Sequence, residues 1–367
     1  MSALDELAGL RPDCRHFRGH LPCKPHKQHG VHCEDCSYYE PIRQRILIIK
    51  LGAIGDVIRT TPILHRLRAD FPHAEITWLT YSPEVVPHVV DRVLAVTPEN
   101  LLLLQQTFFD LLLNLDKDAE ACAIANTIPA RMRKGYVLRN GRPWPANADA
   151  VPKFLTGLFD DVSKRNRKSY PQEIFEIAGF TFAGEEYILD LPEEDFSWEL
   201  DHSRPVVGLN TGCGGRWKSR LWPEEYWTGL AKQLLQKGYE VLLLGGKDED
   251  EKNRRIARQS GATYLGHFPL PQFISEMNQC DLVVTAVTMA LHIAIGLKKK
   301  IVLFNNIFNR HEFELYGLGK ILEPEMACDC YYDPVCPNDC MRTLRVETVL
   351  RTVEELLPIT NLSGRGK

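Results

Sequence analysis

Twice in this chain a short run of consecutive apolar residues ends on a glycine turn and gives way to a helical pattern. The first run is Ile46-Leu-Ile-Ile-Lys-Leu51, followed by Gly52-Ala-Ile-Gly55 and a helix-like stretch from Asp56 to Ala69. The second is Pro205-Val-Val-Gly-Leu-Asn210, followed by Thr211-Gly-Cys-Gly-Gly215 and a helix-like stretch from Pro223 to Lys237. A strand that does not alternate apolar with polar is buried on both faces, which in a soluble protein means the interior of a parallel sheet flanked by helices. The rhythm continues with strand patterns at Ala74–Thr80 and Asp110–Leu115 in the first half, and at Tyr239–Leu244, Asp281–Thr285 and Lys300–Phe304 in the second. Helical patterns at Asp248–Ser260 and Thr288–Leu297 lie between the later strands. The expectation is an α/β protein of two doubly wound, Rossmann-like domains facing across a cleft. Ligands of such sheets bind beyond the carboxyl ends of the strands. The length of 367 residues suits two domains.

The expected division is a Cys/His-rich module over 1–41, a first Rossmann-like domain over 42–195, a second over 196–345, and a C-terminal helix and tail over 346–367. Residues 131–168 break the rhythm. They hold ten Lys/Arg against three Asp/Glu, with Pro143, Pro145 and Pro152 among them, and read as a long loop. Such a stretch suits an anionic acceptor or an anionic membrane surface, and equally a solvated loop. The net charge of -4 argues against a nucleic-acid binder. The apolar runs Leu101–Leu104 and Phe108–Leu115 are too short to span a bilayer. Met1–Leu10 carry acids without a long apolar run, so no signal peptide is expected and the cytoplasm is the expected compartment.

The eleven cysteines concentrate in two quartets: Cys14, Cys23, Cys33 and Cys36, and Cys328, Cys330, Cys336 and Cys340. A cytosolic enzyme seldom uses such groups as disulfides, and four thiols is the ligand count of a structural metal site. Zinc or iron at each quartet is the expectation, with reduced buried thiols as the plain alternative.

Three stretches, in order, resemble glycosyltransferase family 9, which includes the ADP-heptose:lipopolysaccharide heptosyltransferases. They are Lys50-Leu-Gly-Ala-Ile-Gly-Asp-Val-Ile-Arg-Thr-Thr-Pro62, Asn210-Thr-Gly-Cys-Gly-Gly-Arg-Trp-Lys-Ser-Arg-Leu-Trp-Pro-Glu-Glu-Tyr-Trp227, and Asp281-Leu-Val-Val-Thr-Ala-Val-Thr-Met-Ala-Leu-His-Ile-Ala294. The resemblance covers roughly residues 45 to 350 as a domain-scale assignment. It implies the GT-B fold and an inverting transfer that needs no catalytic metal. The sugar would pass from an ADP-sugar to a hydroxyl of a lipid-linked saccharide or a protein, with peripheral contact to the inner membrane.

The family's general base falls on Asp56, although a carboxylate at a helix start is also explained by capping and the helix dipole. Gly55, Thr60, Thr61 and Asp116 are the acceptor-side candidates. On the donor side the backbone of Thr211, Gly212 and Gly214 suits a phosphate. Lys218 and Arg220 would stabilise the charge on a departing diphosphate. Glu249 would accept from ribose hydroxyls, and Thr288 and His292 open a helix suited to phosphate. The plain readings are solvated loop cations, an acidic helix start and a packed histidine. The chain departs from the family at Val287, where relatives carry Asp. That leaves a rival reading as a catalytically weak sugar-nucleotide-binding or assembly protein. An NAD-dependent dehydrogenase is disfavoured, because neither glycine turn reads Gly-x-Gly-x-x-Gly.

Overall fold

The computed structural model describes residues 7–359. The start of the N-terminal module and the end of the C-terminal tail lie outside the described residues. The first sheet contains β1 (Gln44–Ile49), β2 (Ala74–Thr80), β3 (Arg92–Ala95), β4 (Phe109–Asn114), β5 (Ala130–Arg139) and β6 (Arg142–Pro145), in the order β3-β2-β1-β4-β5-β6. Its pairings are parallel except β5 with β6. The second sheet contains β7 (Val206–Asn210), β8 (Glu240–Leu244), β9 (Leu282–Ala286), β10 (Lys300–Phe304) and β11 (Gly319–Leu322), in the order β11-β10-β9-β7-β8, all parallel. This is the expected two-sheet GT-B architecture.

The apolar runs fill both faces, as their lack of alternation requires. On β1, Ile46 and Ile48 join one apolar cluster while Leu47 and Ile49 join another on the opposite face. On β7, Val206 and Val207 divide in the same way. One cluster runs from Val57 and Ile58 of the first half to Ala290, Leu291 and Ile293 of the second, so the two halves share a core at the cleft floor. A methyl group on Gly55 would lie 2.6 Å from His292 Cδ2. Gly55 is therefore a site of close approach between the halves, where any side chain would force them apart.

Two sequence expectations about secondary structure change. The helix expected over 56–69 is broken into Ile54–Ile58 and Ile63–Asp70. Pro62 brings no N–H to the break, and the hydroxyls of Thr60 and Thr61 donate to Asp56 O (2.7 Å) and Ile58 O (2.8 Å). The stretch 131–168 is not a long loop. It contains most of β5, all of β6, and the helices Val151–Thr156 and Asp160–Arg165. Asn140 and Gly141, both at positive φ (51° and 72°), make the two-residue turn of a hairpin, for which Asn-Gly is the strongest short signal. High charge density hid that signal.

The expected N-terminal metal module is also corrected. Among the described residues only Cys328, Cys330, Cys336 and Cys340 bring three or more ligand atoms within reach of one ion. The N-terminal cysteines are held on separate supports. Cys14 is buried and bridges Pro41, Cys23 precedes the helix Lys24–His29, and Cys33 opens a short 3-10 turn. No helix among the described residues is long and apolar enough to cross a membrane.

Candidate active site

Strand order reverses between β1 and β4 in the first sheet and between β7 and β9 in the second. At such switch points adjacent loops part and leave a crevice. Here the two crevices meet in one cavity of about 790 Å³. The first half contributes Gly52, Gly55, Asp56, Arg59 and Tyr81; the second contributes Asn210, Gly212, Gly214, Arg220, Glu249, Thr288, His292 and Glu312. A smaller space of about 300 Å³ adjoins it on the first-domain side, sharing Asp56, Arg59, Glu312 and Tyr332 and adding Lys50, Asp116, Lys117 and Lys153.

Asp56 sits in the first turn of the helix Ile54–Ile58, with a third of its side chain (34%) open. Its carboxylate is 2.8 Å from Arg59 Nε, one turn on, and 4.0 Å from Lys50 Nζ. Burial alone would raise its pKa, but Arg59 and Lys50 outweigh burial and bring it down to about 2. It is fully ionised at neutral pH and faces the junction of the two spaces. Arg59 is in turn held by Glu312 (3.1 Å) and lies 3.6 Å from the centre of the Tyr170 ring. Glu312 comes from the second half, and Lys153 approaches it at 3.9 Å while pairing with Glu173 at 2.7 Å. A chain of alternating charges thus runs from the candidate base across the cleft. Such buried pairs fix geometry more than they add stability.

Asp116 is buried and grips the turn that carries Asp56. It accepts from Lys50 Nζ (3.0 Å) and Leu51 N (2.9 Å), and borders the acceptor-side space. Thr60 and Thr61 are buried and line neither space; Thr60 supports the turn through Asp56 O, and Thr61 also accepts from Ile188 N at 2.9 Å. Lys117 borders the acceptor side. Burial first, then Lys153, pushes its pKa down to about 8.

Arg220 dominates the donor side. It is buried, and its guanidinium donates to Val287 O and to Cys213 O (2.6 Å), with no carboxylate partner among the described residues. Its Nε is buried and has no hydrogen-bond partner among the described residues. Burial pulls its pKa down to about 10, so it remains a cation. A buried cation held only by carbonyl oxygens at a cavity wall is a costly arrangement that an anion relieves. Thr288 caps the helix Met289–Gly296 through Ala290 N (3.2 Å), and Asn210 Nδ2 reaches its hydroxyl at 3.3 Å. Glu249 accepts from Gly246 N (3.1 Å), and its carboxylate approaches Gly212 so closely that a methyl group there would be 2.5 Å from Cδ. His292 is 3.4 Å from Tyr187 through Nδ1. Burial, reinforced by Arg59, pushes its pKa down to about 3, so it is neutral. Thr211 bonds Asn253 at 2.6 Å and Lys218 is exposed; neither lines the cavity. Val287 lines the cavity and offers Arg220 its carbonyl.

The C-terminal quartet stands behind the Arg220 loop. Cys328 and Cys336 Sγ are 3.3 Å apart, Cys330 and Cys340 Sγ are 3.7 Å apart, and all four lie within 4.8 Å of one another. Metal–thiolate bonds of about 2.3 Å in a tetrahedron separate sulfurs by about 3.8 Å, so the four thiols fit one such ion. The intervening chain grips Ser219, the residue before Arg220: Pro334 O accepts from its N at 2.9 Å and Asp333 O from its hydroxyl at 2.7 Å. Asn306 Nδ2 bridges Ser219 O (2.7 Å) and Cys340 Sγ (3.5 Å).

Arg59, Glu312, Lys50, Lys153 and Tyr332 were not singled out in the sequence. Arg59 alone had a local signal, three residues after Asp56, the spacing that brings two residues to one helix face. Glu312 meets Arg59 across 253 positions, which no local pattern reveals.

The family profile for glycosyltransferase family 9 (heptosyltransferase) matches residues 102–307. Lipopolysaccharide heptosyltransferase 2 of Salmonella typhimurium is 28% identical over 294 residues, 70% of this chain and 81% of that protein. The crystal structure of a family 9 glycosyl transferase from Veillonella parvula superposes with a TM-score of 0.66 at 20% identity, covering 86% of this chain and 98% of that one. The dodecameric iron-containing heptosyltransferase TibC of enterotoxigenic E. coli, in complex with ADP-D-beta-D-heptose, superposes with a TM-score of 0.56 at 12% identity, covering 86% of this chain and 76% of that one. With more than half its length under the family profile, and with a fold that the superposed structures share, this chain belongs to glycosyltransferase family 9, the heptosyltransferases.

Proposed function

We propose that this enzyme transfers a heptose from ADP-heptose to a hydroxyl of a lipopolysaccharide-core-like or protein acceptor in the cytoplasm, with inversion and with Asp56 as general base. The observation that carries the reading is that an ionised carboxylate from the first half, Asp56, and a buried cation from the second, Arg220, without a carboxylate partner among the described residues, line one cavity. The acceptor oxygen forms a bond to the anomeric carbon as the bond from that carbon to the diphosphate breaks. The acceptor's proton passes to Asp56, and the charge left on ADP meets Arg220 and the start of the helix Met289–Gly296. A base as weak as Asp56 takes the proton late, once bond formation has made the hydroxyl acidic. Glu249 is the candidate partner of the ribose hydroxyls. The similarity to a lipopolysaccharide heptosyltransferase and to a structure holding ADP-heptose supports the choice of donor and acceptor class.

We assign one structural metal, zinc or iron, to Cys328, Cys330, Cys336 and Cys340. A closed four-thiolate shell supplies structure and leaves no open position.

Two tests address the site. Arg220→Ala is expected to weaken ADP binding by about 1.5 kcal/mol or more, the scale of a charge-assisted hydrogen bond. Calorimetry with ADP, UDP and GDP measures both this loss and the base preference; unchanged ADP affinity removes Arg220 from the donor site. Arg59→Met is expected to raise the pKa of Asp56 from about 2. Activity needs the ionised carboxylate, so it is lost as pH falls through that pKa. The acid limb of kcat/KM therefore moves upward into the measurable range in Arg59→Met and returns toward its original position in Arg59→Lys. The same depressed pKa contributes stability above the ordinary carboxylate value, lost as pH falls toward about 2. An acid limb that does not move in Arg59→Met rules out Asp56 as its source.

A further inference from the structure

The donor cavity and the acceptor-side space meet at the Gly52-Ala53 turn and at four further residues, Asp56, Arg59, Glu312 and Tyr332. Three of the four are charged and already paired: Arg59 holds Asp56 at 2.8 Å and Glu312 at 3.1 Å. Tyr332 is the fourth, and the proposed chemistry gives it no part. It is 39% exposed, and its hydroxyl lies 3.5 Å from Glu312 Oε2. The Phe308 and Tyr331 rings meet its ring nearly at right angles, with centres 5.1 Å and 5.0 Å away. The Phe308 ring in turn lies 5.5 Å from the Arg220 guanidinium, so an aromatic strip leads from Arg220 to the junction of the two spaces.

Tyr332 is held where it stands. Its φ of 52° is in the left-handed region, which crowds a side chain against its own backbone and persists where the surroundings impose it. Contacts from three directions do so. Its N–H donates to Ile307 O at 2.9 Å. Two residues before it, Cys330 belongs to the converging quartet. Its neighbour Tyr331 reaches the first half, where the Tyr331 and Ser163 hydroxyls are 2.8 Å apart and Lys164 Nζ lies 4.7 Å from the Tyr331 ring. Asn309 Nδ2 adds bonds to Ser163 O (2.6 Å) and Asn166 O (2.7 Å). The loop between Cys330 and Cys336 is thus tied both to the quartet and to the acceptor half. A fixed ring with part of its surface open, beside paired charges, suits a sugar: the ring covers C–H groups, and the phenol meets a hydroxyl of the ligand.

We propose that Tyr332 is an acceptor-binding residue: its ring packs on the acceptor saccharide and sets the accepting hydroxyl toward Asp56, so that the second half completes the acceptor site. This rests on the proposed transfer to a saccharide hydroxyl. The test measures transfer from ADP-heptose to a heptose-terminated core oligosaccharide and, by calorimetry, binding of that oligosaccharide to the ADP complex. ADP affinity, melting temperature and metal content are measured on the same full-length samples. Tyr332→Gly removes the ring at a φ that glycine takes freely, so the turn itself survives. It is expected to raise the acceptor KM and Kd by about tenfold or more, with ADP affinity and metal content unchanged. Tyr332→Phe keeps the ring and is expected to recover most of that loss. The proposal is overturned if Tyr332→Gly binds the oligosaccharide as the wild type does, or if Tyr332→Phe loses as much as Tyr332→Gly. It is also overturned if ADP affinity falls by the same factor as acceptor affinity, the sign of a loop that has come apart. A wild type that neither binds nor glycosylates the oligosaccharide defeats the acceptor reading, and the proposal with it. A wild type that does both leaves the Tyr332 variants to decide the proposal alone.

Discussion

Asp56→Asn is expected to lower turnover by about two to four orders of magnitude, the usual contribution of a positioned general base, while ADP affinity changes little. Asn keeps the shape and removes the charge, so the comparison isolates proton acceptance from packing. The main rival is structural. Asp56 also pairs with Arg59 and approaches Lys50, so the variant loses an ion pair and leaves Arg59 with Glu312 as its carboxylate partner. That loss lowers the melting temperature, but it acts on the first domain and not on the Arg220 wall. A base and a structural ion pair therefore separate in the readout: the base predicts lost turnover with retained ADP binding in folded protein. Near-normal turnover in Asp56→Asn excludes Asp56 as the base.

The second large effect concerns the C-terminal cysteines. Metal analysis of protein purified under reducing conditions is expected to find about one ion per chain, because only one quartet converges. Removing it, by chelation or by Cys328→Ser/Cys336→Ser, is expected to lower the melting temperature by several degrees and to weaken ADP binding. The reason is local. The segment between the cysteines has little apolar packing of its own beyond Ile307, Trp217 and Phe308, so the metal is what it folds around. That segment holds Ser219 by two hydrogen bonds, and Ser219 adjoins Arg220. When the segment loosens, the diphosphate wall loosens with it. Arg220 variants should accordingly lose little further affinity in metal-free protein. A stoichiometry near zero with all four thiols titrating freely in the native state contradicts the assignment, and a stoichiometry near two restores the N-terminal quartet.

What was legible in the sequence follows the range of the forces involved. Strands buried on both faces cannot hide their apolar runs, and Ile46–Leu51 and Lys300–Phe304 stand where the pattern puts them, to within two residues at each end. The glycine turns also marked the cleft correctly, because a close approach such as that of Gly55 to His292 tolerates no side chain. The β6 margin of the first sheet left a weaker mark. β5 carries Arg131, Arg133, Lys134 and Arg139, and β6 carries Arg142, so charge density masked an Asn-Gly hairpin. Cross-domain pairs left no mark at all: Arg59 and Glu312 are distant in sequence and meet only because the halves face each other. Cysteine count likewise carried no geometry. The two quartets are equally rich in thiols, yet only Cys328–Cys340 folds back on itself tightly enough to converge.

The decisive measurement is transfer itself. The full chain is incubated with ADP-heptose and a heptose-terminated core oligosaccharide. The product is weighed by mass spectrometry, and its new anomeric centre is assigned by NMR. The expected result is a mass gain of one heptose, one ADP released per heptose transferred, and an anomeric configuration inverted relative to the donor. Retained configuration, ADP release with only free heptose formed, or transfer from a UDP- or GDP-sugar in preference to the ADP-sugar would contradict the proposed chemistry.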